Sequence, residues 1–207
     1  MKFIGCFNKS VCLTYLGVFF SLSGIFNLLI MNPFESINRI DIAIIYMVLA
    51  GICDLFDGFI ARKCKRNETQ KQFGIQIDSL ADIISFVIYP IILLFFLVDK
   101  QYYNIYLYLS IFYIITGITR LAWFNIKTDG NINYYQGLPV TYVSLIIPVL
   151  YTINSYITIP FWDILICIVY TLVGFLFILD IKIKKPRGIW YILFSLLAII
   201  TIVLLIF

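Results

Sequence analysis

Seven long apolar stretches, each closed by a short polar one, divide the chain. They occupy residues 11–31, 41–60, 77–98, 103–124, 138–156, 161–179 and 189–207. An α-helix needs roughly 20 residues to cross a hydrocarbon layer about 30 Å thick, and these runs match that length. The pattern predicts an all-α protein, a polytopic transmembrane helical bundle of about six to seven spans. The first run is too long for the apolar region of a signal peptide and lacks a small-residue cleavage site, so it is expected to stay as a span.

Composition agrees. Of 207 residues 62% are hydrophobic and the mean hydropathy is +1.00, against about 45–50% apolar in a soluble domain. That leaves no length for a separate soluble domain, and residues 1–207 are expected to form a single membrane domain.

Charge sets the expected orientation. Lys2 and Lys9 precede the first run; Arg62, Lys63, Lys65, Arg66 and Lys71 follow the second. Lys127 follows the fourth, near Arg120, and Lys182, Lys184, Lys185 and Arg187 follow the sixth. The alternate connections hold only Arg39 and Lys100. Basic loops stay on the cytoplasmic side, which puts the N-terminus inside, the C-terminus outside and the chain in the cell membrane as a multi-pass protein. The net charge of +4 then faces anionic lipid headgroups. No nucleic-acid partner is expected, since no aromatic-rich basic domain accompanies the charge.

Five scattered cysteines form no CxxC, and the chain has no histidine. A zinc site of the Cys/His kind is therefore not expected, and the cysteines read as free thiols. Most aromatic residues near the ends of the runs, Trp162 and Trp190 among them, fit an interfacial belt.

Against this background four acids stand out. Asp54 and Asp57 are three apart at the end of the second run, and Asp78 and Asp82 four apart at the start of the third. Each pair shares a helix face. The connection between them, residues 63–73, reads as a short basic loop, which makes the two helices antiparallel neighbours and brings both acidic faces to one depth on the cytoplasmic side. Adjacent carboxylates repel by about 4 kcal/mol per close pair at an intermediate dielectric. Such a cluster persists when protonated or when cations neutralise it. Oxygen donors without histidine or cysteine point to Mg²⁺, Mn²⁺ or Ca²⁺. Solvated acids at helix ends are the bland alternative for any one of them.

Small residues and a guanidinium surround the acids. Gly58 follows Asp57, Ala61 lies one turn further, Arg62 comes next, and Gly74 stands four before Asp78. Together they describe a cavity for a pyrophosphate. Helix packing is the competing reason for each glycine taken alone.

The order Asp54-x-x-Asp57-Gly58-x-x-Ala61-Arg62, then Gly74-x-x-x-Asp78-x-x-x-Asp82, resembles the signature of the CDP-alcohol phosphotransferase family, with all eight residues present. Where that signature has eight residues between arginine and the second glycine, this chain has eleven. Two further stretches, GITRLAWFNI at 117–126 and YQGLPVTY at 135–142, resemble integral-membrane phosphatidylserine synthases of bacteria and archaea, as does CLTYLGVFFSLSGI near the start. The resemblance runs from about residue 12 to 186 and leaves the last apolar run without a counterpart.

The resemblance implies a metal-dependent phosphatidyltransferase. CDP-diacylglycerol would donate a phosphatidyl group to the hydroxyl of L-serine and release CMP. Asp54, Asp57, Asp78 and Asp82 would hold divalent cations, Mg²⁺ or Mn²⁺ with Ca²⁺ as a further occupant, two per site. Asp82 would help bind the second metal or act as general base. Asp54, Gly58, Ala61, Arg62 and Gly74 would contact the CDP-lipid. A homodimer among membrane lipids is also implied. The same chemistry with glycerol 3-phosphate or an inositol phosphate is the alternative, and a cation transporter is the alternative from another class. Arg120 reads either as the grip on the serine carboxylate or a lipid phosphate, or as an interface arginine that snorkels. Asn125 and Gln136 are further acceptor-contact candidates, and Gly137-Leu138-Pro139 starts the fifth span, with proline placed where a missing N–H is harmless.

Overall fold

A computed structural model describes residues 5–6, 9–30, 38–127, 134–184 and 188–207. Of the charges used for orientation, Lys2, Lys185 and Arg187 lie outside the described residues, as do the side chains of Lys9, Arg62 and Lys127. Among the described residues there are eight α-helices: α1 (Lys9–Leu29), α2 (Arg39–Lys63), α3 (Glu68–Asp82), α4 (Tyr89–Leu97), α5 (Tyr103–Lys127), α6 (Val143–Tyr156), α7 (Trp162–Ile178) and α8 (Ile189–Ile206). A π-helical turn, Ile83–Ile88, joins α3 to α4 into one rod. Five helical rods are long and apolar enough to cross a membrane, and two shorter apolar ones, Val140–Tyr156 and Trp162–Ile178, complete the bundle. Each of the seven predicted runs corresponds to one of them. The exposed face is apolar, with Phe19, Ile105 and Ile192 open to the surroundings, as lipid contact requires.

One expected boundary is corrected. Residues 63–73 do not form a loop: α2 runs to Lys63 and α3 begins at Glu68. The cause is a capping box. Asn67 Oδ1 accepts from the Gln70 amide at 2.8 Å and Gln70 Oε1 accepts from the Asn67 amide at 3.1 Å, which satisfies two amide donors at the helix start. The polar run from Glu68 is therefore helical and projects α3 nine residues beyond its apolar part.

α1 packs along α2, and α5 along α7, while α8 lies against α2 and α6. Close approach of α1, α2 and α4 depends on Gly24, where a Cβ would overlap the Tyr89 hydroxyl. That hydroxyl donates to the Ala43 carbonyl at 2.6 Å, so Tyr89 ties α4 to α2 through a space only glycine leaves open. The π-turn has an equally local cause. Pro90 cannot donate to the carbonyl of Phe86, and Tyr113 of α5 donates to that oxygen instead, at 3.0 Å. Tyr170 of α7 donates to the Pro90 carbonyl at 2.7 Å. Tyr113 thus replaces the helix bond that proline forfeits, and Tyr170 adds a second tie from α7 to the same turn.

At the end of the bundle where α2 meets α3, a two-stranded antiparallel ribbon closes the structure. Strand β1 (Tyr134–Gln136) pairs with β2 (Lys182–Lys184), Tyr135 opposite Ile183. Gly137 follows β1 at φ +72°, and a Cβ there would meet the Phe177 carbonyl. Its amide donates to Ile181 O at 2.9 Å and the Leu138 amide to Leu176 O at 2.8 Å. The turn that was read as the start of the fifth span therefore also clamps the segment after α5 to the end of α7, and regular helix resumes only at Val143.

Candidate active site

α2 and α3 bring Asp54, Asp78 and Asp82 together, with one carboxylate oxygen of each inside a 4.8 Å circle. The spacing explains this: three- and four-residue offsets hold each pair on one face, and the short link after Lys63 turns those faces toward each other. Asp54 faces Asp82, and Asp57 faces Asp78. Asp57 is 6% exposed and accepts a hydrogen bond from Thr14 Oγ1 of α1 at 3.0 Å. Oxygen-only donors this close suit a hard divalent cation, so the residues fit the ion that the sequence calls for.

Beside Asp57 and Asp78 opens a cavity of about 220 Å³ lined by Thr14, Gly58, Ala61, Gly74 and Arg66. The small residues leave room next to the carboxylates. A Cβ on Gly74 would come 3.2 Å from Arg66 Nη1, so the glycine lets that guanidinium reach the cavity. Arg62 lies in the last turn of α2, and its side chain is outside the described part. Thr14 and Arg66 are the residues that sequence reasoning missed. In the sequence Arg66 reads only as a topogenic charge, and Thr14 is one hydroxyl in an apolar run with no pattern around it.

Arg120 does not snorkel. It is 6% exposed, lies over the rings of Phe124 and Tyr135 at 4.9 and 5.9 Å, and is close enough to Asp82 and Asp54 for their charges to interact. Ring faces stabilise the desolvated cation in part. Burial pushes the Tyr135 phenol up to about 12, so that ring stays neutral above Arg120 at ordinary pH. Asn125 accepts from Ser79 Oγ at 2.9 Å, which ties α5 to α3 one residue past Asp78. Gln136 sits further out, its Oε1 accepting from Trp123 Nε1 at 3.0 Å and its Nε2 donating to Asp180 Oδ1 at 3.3 Å.

The model of the CDP-alcohol phosphatidyltransferase family matches residues 7–178. The chain belongs to the CDP-alcohol phosphatidyltransferase family. Its match ends with α7, so α8 lies beyond it, as the last apolar run lay beyond the resemblance. Among curated relatives, archaetidylserine synthase of Methanothermobacter thermautotrophicus is 38% identical over 120 residues, 58% of this chain and 50% of the relative. CDP-diacylglycerol–serine O-phosphatidyltransferase of Helicobacter pylori is 31% identical over 129 residues, 62% of this chain and 53% of the relative. The protein of the same name from Methanocaldococcus jannaschii is 32% identical over 157 residues, 75% of this chain and 70% of the relative. The chain thus spans about half the length of the first of these family members. No solved structure matches it.

Proposed function

We propose that the chain is a CDP-diacylglycerol-dependent phosphatidyltransferase with L-serine as acceptor. The observation that carries this reading is the meeting of Asp54, Asp78 and Asp82 in a chain of this family. The serine assignment draws on the names of its relatives. Asp54, Asp57, Asp78 and Asp82 would hold two divalent ions, Mg²⁺ or Mn²⁺. When bound, these neutralise the pyrophosphate oxygens and the charge that develops on the leaving phosphate.

The chain's own groups do the rest. Gly58, Ala61 and Gly74 leave space for the CDP pyrophosphate, and Arg66, with Arg62, counters its charge. The acceptor hydroxyl oxygen bonds to the phosphorus that carries the diacylglycerol, as its proton passes to Asp82. The phosphoanhydride bond to CMP breaks, and CMP leaves with that bond's electron pair. Transfer of this type depends on in-line positioning and neutralised oxygens, together with a base within reach of the hydroxyl.

The test is CMP release by the purified chain in detergent with CDP-diacylglycerol and Mn²⁺ or Mg²⁺. L-serine, glycerol 3-phosphate and an inositol phosphate are supplied in turn. Serine-dependent release is expected. Release with a phosphorylated polyol alone would refute serine and keep the chemistry, and no release with any acceptor from folded protein would refute the enzyme reading. Repeating the assay with a CDP-activated ether lipid separates the diacyl from the archaetidyl substrate. A homodimer is the assembly this reading includes, and light scattering in detergent measures it.

A further inference from the structure

Beside Arg120 lies a second cavity, about 260 Å³, between the end of α5, β1 and the end of α7. Arg120, Gln136 and Asp180 all line it. Arg120 is buried, yet its Nε has no hydrogen-bond partner among the described residues. A buried guanidinium N–H without an acceptor is costly, and this one borders an open volume. Asp180 supplies the opposite charge. It is exposed and forms no salt bridge among the described residues, although Lys182 and Lys184 lie two and four positions on. Its carboxylate is held by Gln136, which Trp123 holds in turn. The backbone on either side of it is fixed as well, because the Ile181 amide donates to Leu179 O at 2.7 Å and the Gly137 amide to Ile181 O. A buried cation and an exposed anion thus line one cavity, with no ion pair between them among the described residues.

We propose that this cavity is the acceptor subsite and that it selects a zwitterion, Arg120 taking an α-carboxylate and Asp180 an α-ammonium. The inference rests on the serine-acceptor reading and adds Asp180 as its specificity-determining residue. A phosphate monoester would face Asp180 as a like charge, so the same cavity disfavours glycerol 3-phosphate and inositol phosphates. Arg120 joins the two halves of the site: it borders this cavity while its charge acts on Asp82 and Asp54. A small amino acid held by it would present its hydroxyl toward the acidic cluster.

The experiment compares L-serine with 3-hydroxypropanoate, which is serine without its amino group, as acceptors for CMP release by the full chain. The variants are Asp180→Asn and Asp180→Glu. In the unaltered protein serine is the far better acceptor. Asp180→Asn is expected to lower kcat/KM for serine about ten- to hundredfold, mainly through KM, from loss of one charged hydrogen bond. Its kcat/KM for 3-hydroxypropanoate should stay within about threefold, and Asp180→Glu should restore part of the preference. Gln136→Leu, which keeps the carboxylate and removes its anchor, should raise the serine KM several-fold and gives a second reading if Asp180→Asn does not fold. An equal loss on both acceptors, or an unchanged serine KM in an active protein, overturns the role of Asp180 and leaves the serine reading intact. Unaltered protein that uses only glycerol 3-phosphate overturns both.

Discussion

Each acid of the cluster has a different neighbour, and the consequences differ residue by residue. Asp82, opposite Asp54 and near Arg120, is the group proposed to take the acceptor proton. Asp82→Asn keeps the shape and removes the base, so kcat should fall by a factor of about 10²–10⁴, measured as CMP release with serine in excess. Asp57 differs in having a hydroxyl donor from another helix. Thr14→Val keeps the volume and deletes that donor, leaving a buried carboxylate short of one hydrogen bond. About a tenfold drop in kcat/KM is expected from a lost bond to a charged group, with Thr14→Ser restoring most of it. An unchanged Thr14→Val rate would mean that Asp57 is placed by α2 alone. The four aspartates were legible at this scale because helical periodicity alone aligns them. Thr14 and Arg66 were not, since a residue supplied from another element leaves no spacing to read.

At the scale of the element, α3 and α4 behave as one rod because Tyr113 of α5 donates to the Phe86 carbonyl that Pro90 leaves without an amide partner. Tyr113→Phe deletes the donor to the Phe86 carbonyl and packs the same ring volume. It should destabilise the bundle by about 1–3 kcal/mol, the cost of a buried unsatisfied carbonyl, seen as a lower melting temperature in detergent. Asp82 lies one residue before the π-turn, so the same variant should also reduce transfer modestly by loosening the helix that aims it. A melting temperature equal to that of the unaltered protein would show that the carbonyl finds another donor. The start of α3 teaches a related lesson. A run of polar and basic residues reads as a loop by composition, but Asn67 and Gln70 form a reciprocal cap, and local hydrogen bonding outweighs the polarity of the segment.

For the whole molecule, orientation follows from charge in alternate connections. Cys64, in the link between α2 and α3 and partly exposed, is expected to face the cytoplasm. With the other four cysteines replaced, an impermeant maleimide should label Cys64 in inside-out vesicles and not in intact cells. The opposite labelling would invert the bundle and put the aspartates on the outer side.

The sequence by itself determined the helical class, the seven apolar runs, the four aspartates with their glycines, and the family whose signature they resemble. Those features are local or periodic: a span is a length of apolar residues, and a helix face is a spacing. Tertiary structure alone decided that Arg120 is buried, that Arg66 reaches the space beside Gly74, and that Asp180 shares a cavity with Arg120. The last depends on how the ends of α5 and α7 are clamped together by Gly137 and the β-ribbon. Arg120 and Asp180 lie tens of positions apart, and only the packing of the helices sets the distance between them.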